Sequence, residues 1–329
     1  MKKILLPLAA VIAMSGFAAE PQSCPKKSCP RGSIVGNWGL KLPFDDMAAG
    51  HLIVEKDDAG ALKGFMLWRW GSPETTKYVK VGENGDFELQ HAWGPVVKGR
   101  VIGCTIVAKA YENDGKEIGD VVGWRNTPIC PAVSTKDAVF GEPIDLLKDG
   151  LDGWFAMSDK APNGWSMKEE DGAKVLSNVL PVDDQGKKIH GVNLMSKRSD
   201  FFDFNLSYDV RVPKDSNSGV YLRSRYEIQT LDSYGKPLDC HNMAAYYGRV
   251  TPSVSAEKPA GEWQHVDVTL YRKHITVVLN GTTIIDNAPV VGITGGAIDA
   301  NEFVPGPLYL QGDHSDADYK NMILRPCVK

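Results

Sequence analysis

The segment Ile275-Thr276-Val277-Val278-Leu279 runs into Asn280-Gly281 and leaves through Thr282-Thr283-Ile284-Ile285. Two β-branched runs joined by Asn-Gly specify a hairpin, because both central positions of a type I′ turn need a positive φ. A chain committed to such a hairpin must find sheet partners, and the neighbouring segments offer them. Along Asn205 to Val212, Leu206, Tyr208, Val210 and Val212 fall on one face; Val266, Val268 and Leu270 alternate with His265, Asp267, Thr269 and Tyr271. This period of two marks half-buried strands, and no helical period of comparable strength competes with it. The C-terminal half is expected to form two antiparallel sheets packed face to face.

At 329 residues the chain is about twice the usual domain length. A stretch rich in Pro and small residues, from Thr127-Pro128-Ile129-Cys130-Pro131 to Gly141-Glu142-Pro143, reads as a linker and divides the chain near residue 135. Before it, short runs of strand character (His51–Glu55, Gly64–Trp70, Lys77–Val81, Asp86–Leu89, Val101–Ala110) are separated by turn residues, which suggests a small antiparallel barrel or sandwich. Trp68 and Trp70 would share one face of a strand. Packing into a core is the expected use of that pair, and stacking against sugar rings is the alternative. The expected organisation is thus a leader over 1–19, a small Trp-rich β domain over 20–135 and a sandwich over 136–329.

Met1-Lys2-Lys3, the apolar run Ile4 to Met14 and Gly16-Phe17-Ala18-Ala19 make a signal peptide, too short for a membrane anchor. A periplasmic or secreted protein is expected. The six cysteines all follow the leader, as disulfides in an oxidising compartment would require, and chain position suggests Cys240 with Cys327, Cys104 with Cys130 and Cys24 with Cys29. With 37 Lys and Arg against 41 Asp and Glu, no basic excess exists to neutralise a nucleic-acid backbone. Asp313, Asp316 and Asp318 could hold a structural Ca²⁺, against the ordinary alternative of a solvated loop; no other cofactor is called for.

Polar residues concentrate between Asn217 and Asp232. In a strand from Arg225, the side chains of Arg225, Glu227 and Gln229 share one face, and Asp232 would join them only through a β-bulge. Several further pieces follow in order. They are Leu147-Lys148-Asp149-Gly150-Leu151-Asp152-Gly153-Trp154, Asn217-Ser218-Gly219-Val220-Tyr221-Leu222-Arg223, Tyr226 to Asp232, Gly261-Glu262-Trp263, Leu279-Asn280-Gly281 and Gly306 to His314, with Tyr319-Lys320-Asn321-Met322 close behind. In that order they resemble the 3-keto-disaccharide hydrolase domain family, over about residues 137–329.

The resemblance implies a concanavalin A-like jelly roll, and so an all-β chain, acting on glycosides oxidised at C3. A C3 ketone acidifies the C2 proton, so a base can remove it and the C1 aglycone can leave by elimination, with or without later addition of water. Such a site needs a base, a partner for the enolate oxygen and an acid for the leaving oxygen. Glu227 is the candidate base or acid, Arg223 the candidate oxyanion partner and His314 a second proton-transfer group. Gln229, Asp232 and Gln311 are candidates for binding hydroxyls, and Tyr247 and Trp263 for stacking on a ring. His241, beside Cys240, is a weaker candidate. Two alternatives stand beside this one. Glu227-Ile228-Gln229-Thr230-Leu231-Asp232 has the spacing of the catalytic strand of laminarinase-like retaining glucanases, with Gln229 in place of the middle acid. The other alternative is a carbohydrate-binding protein without catalysis, since folds of this kind serve both ends.

Overall fold

A computed structural model describes residues 32–126 and 128–328; the expected leader, Cys24 and Cys29 lie outside them. The described chain is almost entirely β. Its first part forms one nine-stranded antiparallel sheet built largely of consecutive hairpins. In spatial order the strands are Glu74–Thr75, Leu62–Trp68, Ala49–Lys56, Gly36–Lys41, Glu117–Arg125, Thr105–Tyr111, Val96–Ile102, Asp86–Gln90 and Tyr78–Val81. The sheet curls until its ends approach: Thr76 N donates to Gly64 O at 2.8 Å, and the missing side chain of Gly64 leaves room for Thr76 and Val79. Trp38, Leu40, Leu52, Val54, Met66, Leu89 and Val97 fill its interior. The run Val101–Ala110 is two strands rather than one. Ile102 pairs with Thr105 across a tight turn at Gly103 (φ +62°), which the β-branched residues on both sides conceal in the sequence.

The second part is a sandwich of two antiparallel sheets. The larger runs Trp165–Glu170, Ala173–Asn178, Ala317–Pro326, Phe204–Arg211, Gln264–Tyr271, His274–Leu279 and Thr282–Pro289, with the short strand Ile144–Asp145 also paired to Ala317–Pro326. The smaller runs Trp154–Ala156, Leu194–Ser196, Tyr309–Leu310, Asn217–Leu222 and Tyr226–Leu231. Leu206, Tyr208, Val210, Val266, Val268 and Leu270 meet Val220, Leu222, Ile228 and Leu310 in the shared core, as the alternation requires. The Asn280-Gly281 hairpin forms: Leu279 pairs with Thr282, and φ is +50° and +83° at the two turn residues.

The two parts are packed together. Strand Ala49–Lys56 is buried on both faces, sending Leu52 and Val54 into the first core while Ala49, with Leu67, joins the second. His51 lies on Gly292, where a Cβ would collide with the imidazole. Arg249 donates to His51 Nδ1 (3.2 Å), which leaves Nε2–H to donate to Asn37 Oδ1 (2.8 Å). Burial, then the charges of Arg249 and Lys273, hold the His51 pKa well below its usual value, so the ring stays neutral. The expected linker is likewise tied down: Thr135 N and Val133 O bond the Asn287 side chain, and Thr135 Oγ1 lies 2.6 Å from Thr276 Oγ1. Cys240 and Cys327 carry free, half-buried thiols, so the expected bridge between them is absent. No helix among the described residues is long and apolar enough to cross a membrane.

The turn at Gly281 gives a direct test of the hairpin. A Cβ there would touch nothing, so Gly281→Ala changes only the cost of its positive φ. The expected loss is about 1–2 kcal/mol of unfolding free energy in a urea titration; an unchanged midpoint would contradict the turn.

Candidate functional site

The smaller sheet turns Val220, Leu222, Ile228 and Leu310 into the sandwich core, so alternation sends Tyr221, Glu227, Gln229 and Tyr309 to its other face. The register places Tyr221 opposite both Glu227 and Tyr309, and Gly219 opposite Gln229. Tyr221 and Tyr309 stack with ring centres 4.1 Å apart. Gly219 is required here for space: a Cβ would collide with the Glu227 carboxyl. That explains the glycine in Asn217-Ser218-Gly219-Val220-Tyr221 without appeal to backbone freedom.

Glu227 is 3% exposed and forms no salt bridge among the described residues. Its Oε2 lies 2.8 Å from the Tyr221 hydroxyl, which is also 2.8 Å from Gly295 O. One phenolic proton cannot serve both acceptors. A neutral Glu227 resolves this by donating to Tyr221, which then donates to Gly295; an ionised Glu227 takes the Tyr221 proton bond for itself. Burial pushes the Glu227 pKa up to about 8, the Tyr221 bond opposes the rise, and the nearby charge of Asp313 adds to it. Asp313 itself stays ionised: burial would raise its pKa, but its bond to His314 Nδ1 (2.7 Å), the His314 charge and further favourable contacts outweigh that. Burial, first of all, and then the Glu227 charge raise the pKa values of Tyr221, Tyr309 and Tyr247, so all three remain hydroxyl donors.

Segment 244–247 adds a further strand-like edge beside Glu227. Ala244 N donates to Gln229 O (2.8 Å), Gln229 N to Ala245 O (3.0 Å) and Tyr247 N to Glu227 O (3.1 Å). The Tyr247 ring meets the His241 ring edge-on at 5.0 Å. On the same side Gln311 N donates to Gly219 O at 2.9 Å, while Gln311 Oε1 is buried without a protein donor. Tyr221, Tyr247, Tyr309 and Asp313 therefore gather around the buried Glu227 carboxyl, with His314 bonded to Asp313 and Gln311 bonded to Gly219.

Gln229 shares the Glu227 face but is bonded to its own strand, and the remaining expected residues stand elsewhere. Arg223 (φ +54°) sits in the hairpin turn after Leu222, where its Nη2 donates to Glu302 O (2.8 Å) and Val304 O (2.6 Å) and its guanidinium lies over Phe202 at 4.2 Å. It braces the 302–304 loop and is not turned to Glu227. Gln229 Oε1 accepts from Thr230 N on its own strand (2.9 Å). Pairing from Asn217–Leu231 to Leu222–Tyr226 is regular, so no bulge brings Asp232 round; its Oδ2 instead caps Asp215 N at 2.9 Å. The three-position glucanase set is therefore not assembled on this strand. Trp263 lies on the larger sheet, held between Arg211 (4.4 Å) and Lys320 (4.1 Å), with its indole N–H toward Glu170.

Asp316 and Asp318 do not join Asp313 in a cation site. Asp316 bonds Leu180 N and Lys188, while Asp318 bonds Ser177, Lys168 and Arg211. Among the described residues, the cluster with metal-ligand spacing is Asp239, Cys240 and His241, whose donor atoms lie within 4.8 Å of one another. Sequence reasoning gave Tyr221 and Tyr309 no site role and considered Asp313 only as a Ca²⁺ ligand. Tyr221 carried the signal: it shares a face with Gly219, two residues away, in a segment already singled out.

The Glu227 carboxyl has a consequence for stability. A carboxyl with a folded pKa of about 8 and an ordinary unfolded value near 4.3 gains stability from its proton. That contribution is complete below the unfolded value and is lost as pH rises toward 8, at about 1.4 kcal/mol per pH unit. Glu227→Gln should therefore melt higher than wild type at pH 9, with the difference shrinking toward pH 5. A pH-independent difference would contradict a buried, proton-binding Glu227.

A family model described as 3-keto-alpha-glucoside-1,2-lyase-like domain matches residues 143–325, more than half of the chain. No curated protein matches it. Similar solved structures include a candidate glycosyl hydrolase from Parabacteroides distasonis (22% identity, TM-score 0.42, covering 61% of this chain and 93% of that one). A second from the same organism has 18% identity and a TM-score of 0.43, covering 56% and 93%. The carbohydrate-binding module CBM66 of Bacillus subtilis is more distant, at 12% identity and a TM-score of 0.31, covering 52% and 93%.

Proposed function

Because the chain belongs to the 3-keto-alpha-glucoside-1,2-lyase-like domain family, and so is a carbohydrate-active protein of the glycoside-acting kind, we propose that it cleaves 3-keto-glycosides by elimination across C1 and C2. The observation that carries this is Glu227, a buried carboxyl of pKa about 8 bonded to a tyrosine hydroxyl. A base that must take a proton from carbon gains from a pKa near the working pH, and burial without a cation supplies it.

Ionised Glu227 removes the proton at C2, and the C2–H electron pair passes into the C2–C3 bond as the C3 carbonyl becomes an enolate. The enolate oxygen needs donors that do not themselves ionise. Tyr247 and Tyr309, with pKa values raised by burial and by Glu227, suit that role better than Arg223, whose Nη2 is committed to backbone carbonyls. The enolate then reforms the ketone, C1=C2 forms, and the C1–O bond breaks with its electrons on the aglycone oxygen. His314, bonded through Nδ1 to Asp313, is the candidate donor of the proton that oxygen takes up. Water added across C1=C2 would complete net hydrolysis. Gln311, whose Oε1 has no bonding partner among the described residues, is the candidate acceptor for a sugar hydroxyl. The Met1–Ala19 leader supports action outside the cytoplasm.

Two outcomes check the assignment. Glu227→Gln should lower kcat on a 3-keto-glucoside by about 10²–10⁴-fold while substrate affinity, read by calorimetry, changes only a few-fold; equal turnover by the variant would remove Glu227 from the chemistry. The rate should rise with pH as Glu227 ionises. Tyr221→Phe deletes the bond that favours the ionised form, so it should move that rising limb to higher pH. A shift to lower pH would contradict the role given to Tyr221.

A further inference from the structure

The nine-stranded sheet lies outside the family match, yet one of its loops reaches the Glu227 site. Strand Leu62–Trp68 ends where Arg69 takes a left-handed conformation (φ +70°), followed by Gly71 at +71°. The turn separates the two tryptophans that alternation would place on one face: Trp68 packs edge-on against Phe44, while Trp70 is 55% exposed. A non-glycine residue held at positive φ beside a site is strain that surrounding contacts must maintain.

Those contacts run directly to the site. Gly296 N donates to Arg69 O at 2.8 Å. Gly295 is so close to this loop that a Cβ would collide with the Gly71 backbone and lie 3.0 Å from the Trp70 carbonyl carbon. The carbonyl of that same Gly295 lies 2.8 Å from the Tyr221 hydroxyl, the partner of Glu227. Ser72 Oγ lies 2.7 Å from His241 Nε2, and the His241 ring meets Tyr247. The Trp70 backbone is therefore separated from the Tyr221–Glu227 pair only by Gly295.

The indole is also set in orientation. The Arg69 guanidinium lies 4.9 Å from the Trp70 ring centre and 4.4 Å from that of Phe44, and it pairs with Asp46. An exposed aromatic ring fixed in advance loses little rotamer freedom when something stacks on it, so more of the contact appears as affinity. A pyranose offers such a partner, with an apolar C–H face and hydroxyls at its rim.

We propose that Trp70 is the stacking surface for a sugar ring in the leaving group, so that the N-terminal sheet supplies the aglycone subsite of the Glu227 site. This rests on the glycoside cleavage proposed above. The substrate class is a 3-keto-disaccharide or longer glycoside; a methyl aglycone is too small to reach the indole.

The test uses the full-length protein with a 3-keto-disaccharide and with methyl 3-keto-glucoside. Trp70→Ala should lower kcat/KM for the disaccharide about tenfold more than for the methyl glucoside, chiefly through KM. Trp70→Phe should recover most of the loss, and the melting temperatures should agree because the ring is exposed. An unchanged ratio between the two substrates in Trp70→Ala overturns the subsite, and so does a Trp70→Phe variant that melts like wild type yet loses as much of the ratio as Trp70→Ala. If wild type cleaves neither substrate, glycoside cleavage itself has failed and the subsite falls with it; if it cleaves both with no change of ratio, only the subsite has failed.

Discussion

A carboxyl group taken out of water with no cation beside it is costly to fold around, and Glu227 is such a group. The surrounding structure is arranged to hold it in that condition. Gly219 leaves the volume it occupies, Tyr221 offers the hydroxyl it bonds, and Gly295 gives that hydroxyl a second acceptor. Asp313, kept ionised by His314, adds a negative charge where a positive one would have relieved the strain. A site built only for stability would place an arginine there. Arg223 and Arg225 are both close in sequence, but they are spent on backbone carbonyls and on Asp299.

The packing of the two halves follows from the same need. Segment 292–298 lies over the far face of the smaller sheet, with Thr294 Oγ1 accepting from Glu227 N, and the loop Arg69–Ser72 packs on that segment through Gly296 N to Arg69 O and on His241 through Ser72. His51, Arg249 and Asn37 then fix the nine-stranded sheet against segment 291–293, with His51 buried as a neutral ring. Water exclusion around Glu227 thus depends on residues far from it in the chain.

Much of the sandwich was legible in the sequence because its signals are local. Asn280-Gly281 names its own turn, and Leu206, Tyr208 and Val210 alternate as a half-buried strand must. Glu227 was legible as well, from alternation and from the ordered family pieces around it. What escaped is what depends on distant contacts. Strand Ala49–Lys56 reads Ala-Gly-His-Leu-Ile-Val, a continuous run rather than an alternating one, and such runs belong to strands buried on both faces. That signal was present but pointed to no particular partner. Arg223 and Trp263 share the family's segments, yet a turn with two consecutive left-handed residues and a pair of flanking cations turn them away from Glu227. Asp232 needed a bulge that regular pairing does not supply.

Elimination and direct hydrolysis differ in the fate of one hydrogen. The most direct measurement follows the label from a 3-keto-glucoside carrying deuterium at C2, by mass spectrometry of the sugar product. If Glu227 abstracts that hydrogen, every aglycone released is accompanied by loss of one C2 deuteron to solvent, and Glu227→Gln releases neither. Aglycone release with the deuterium retained at C2 would contradict the account.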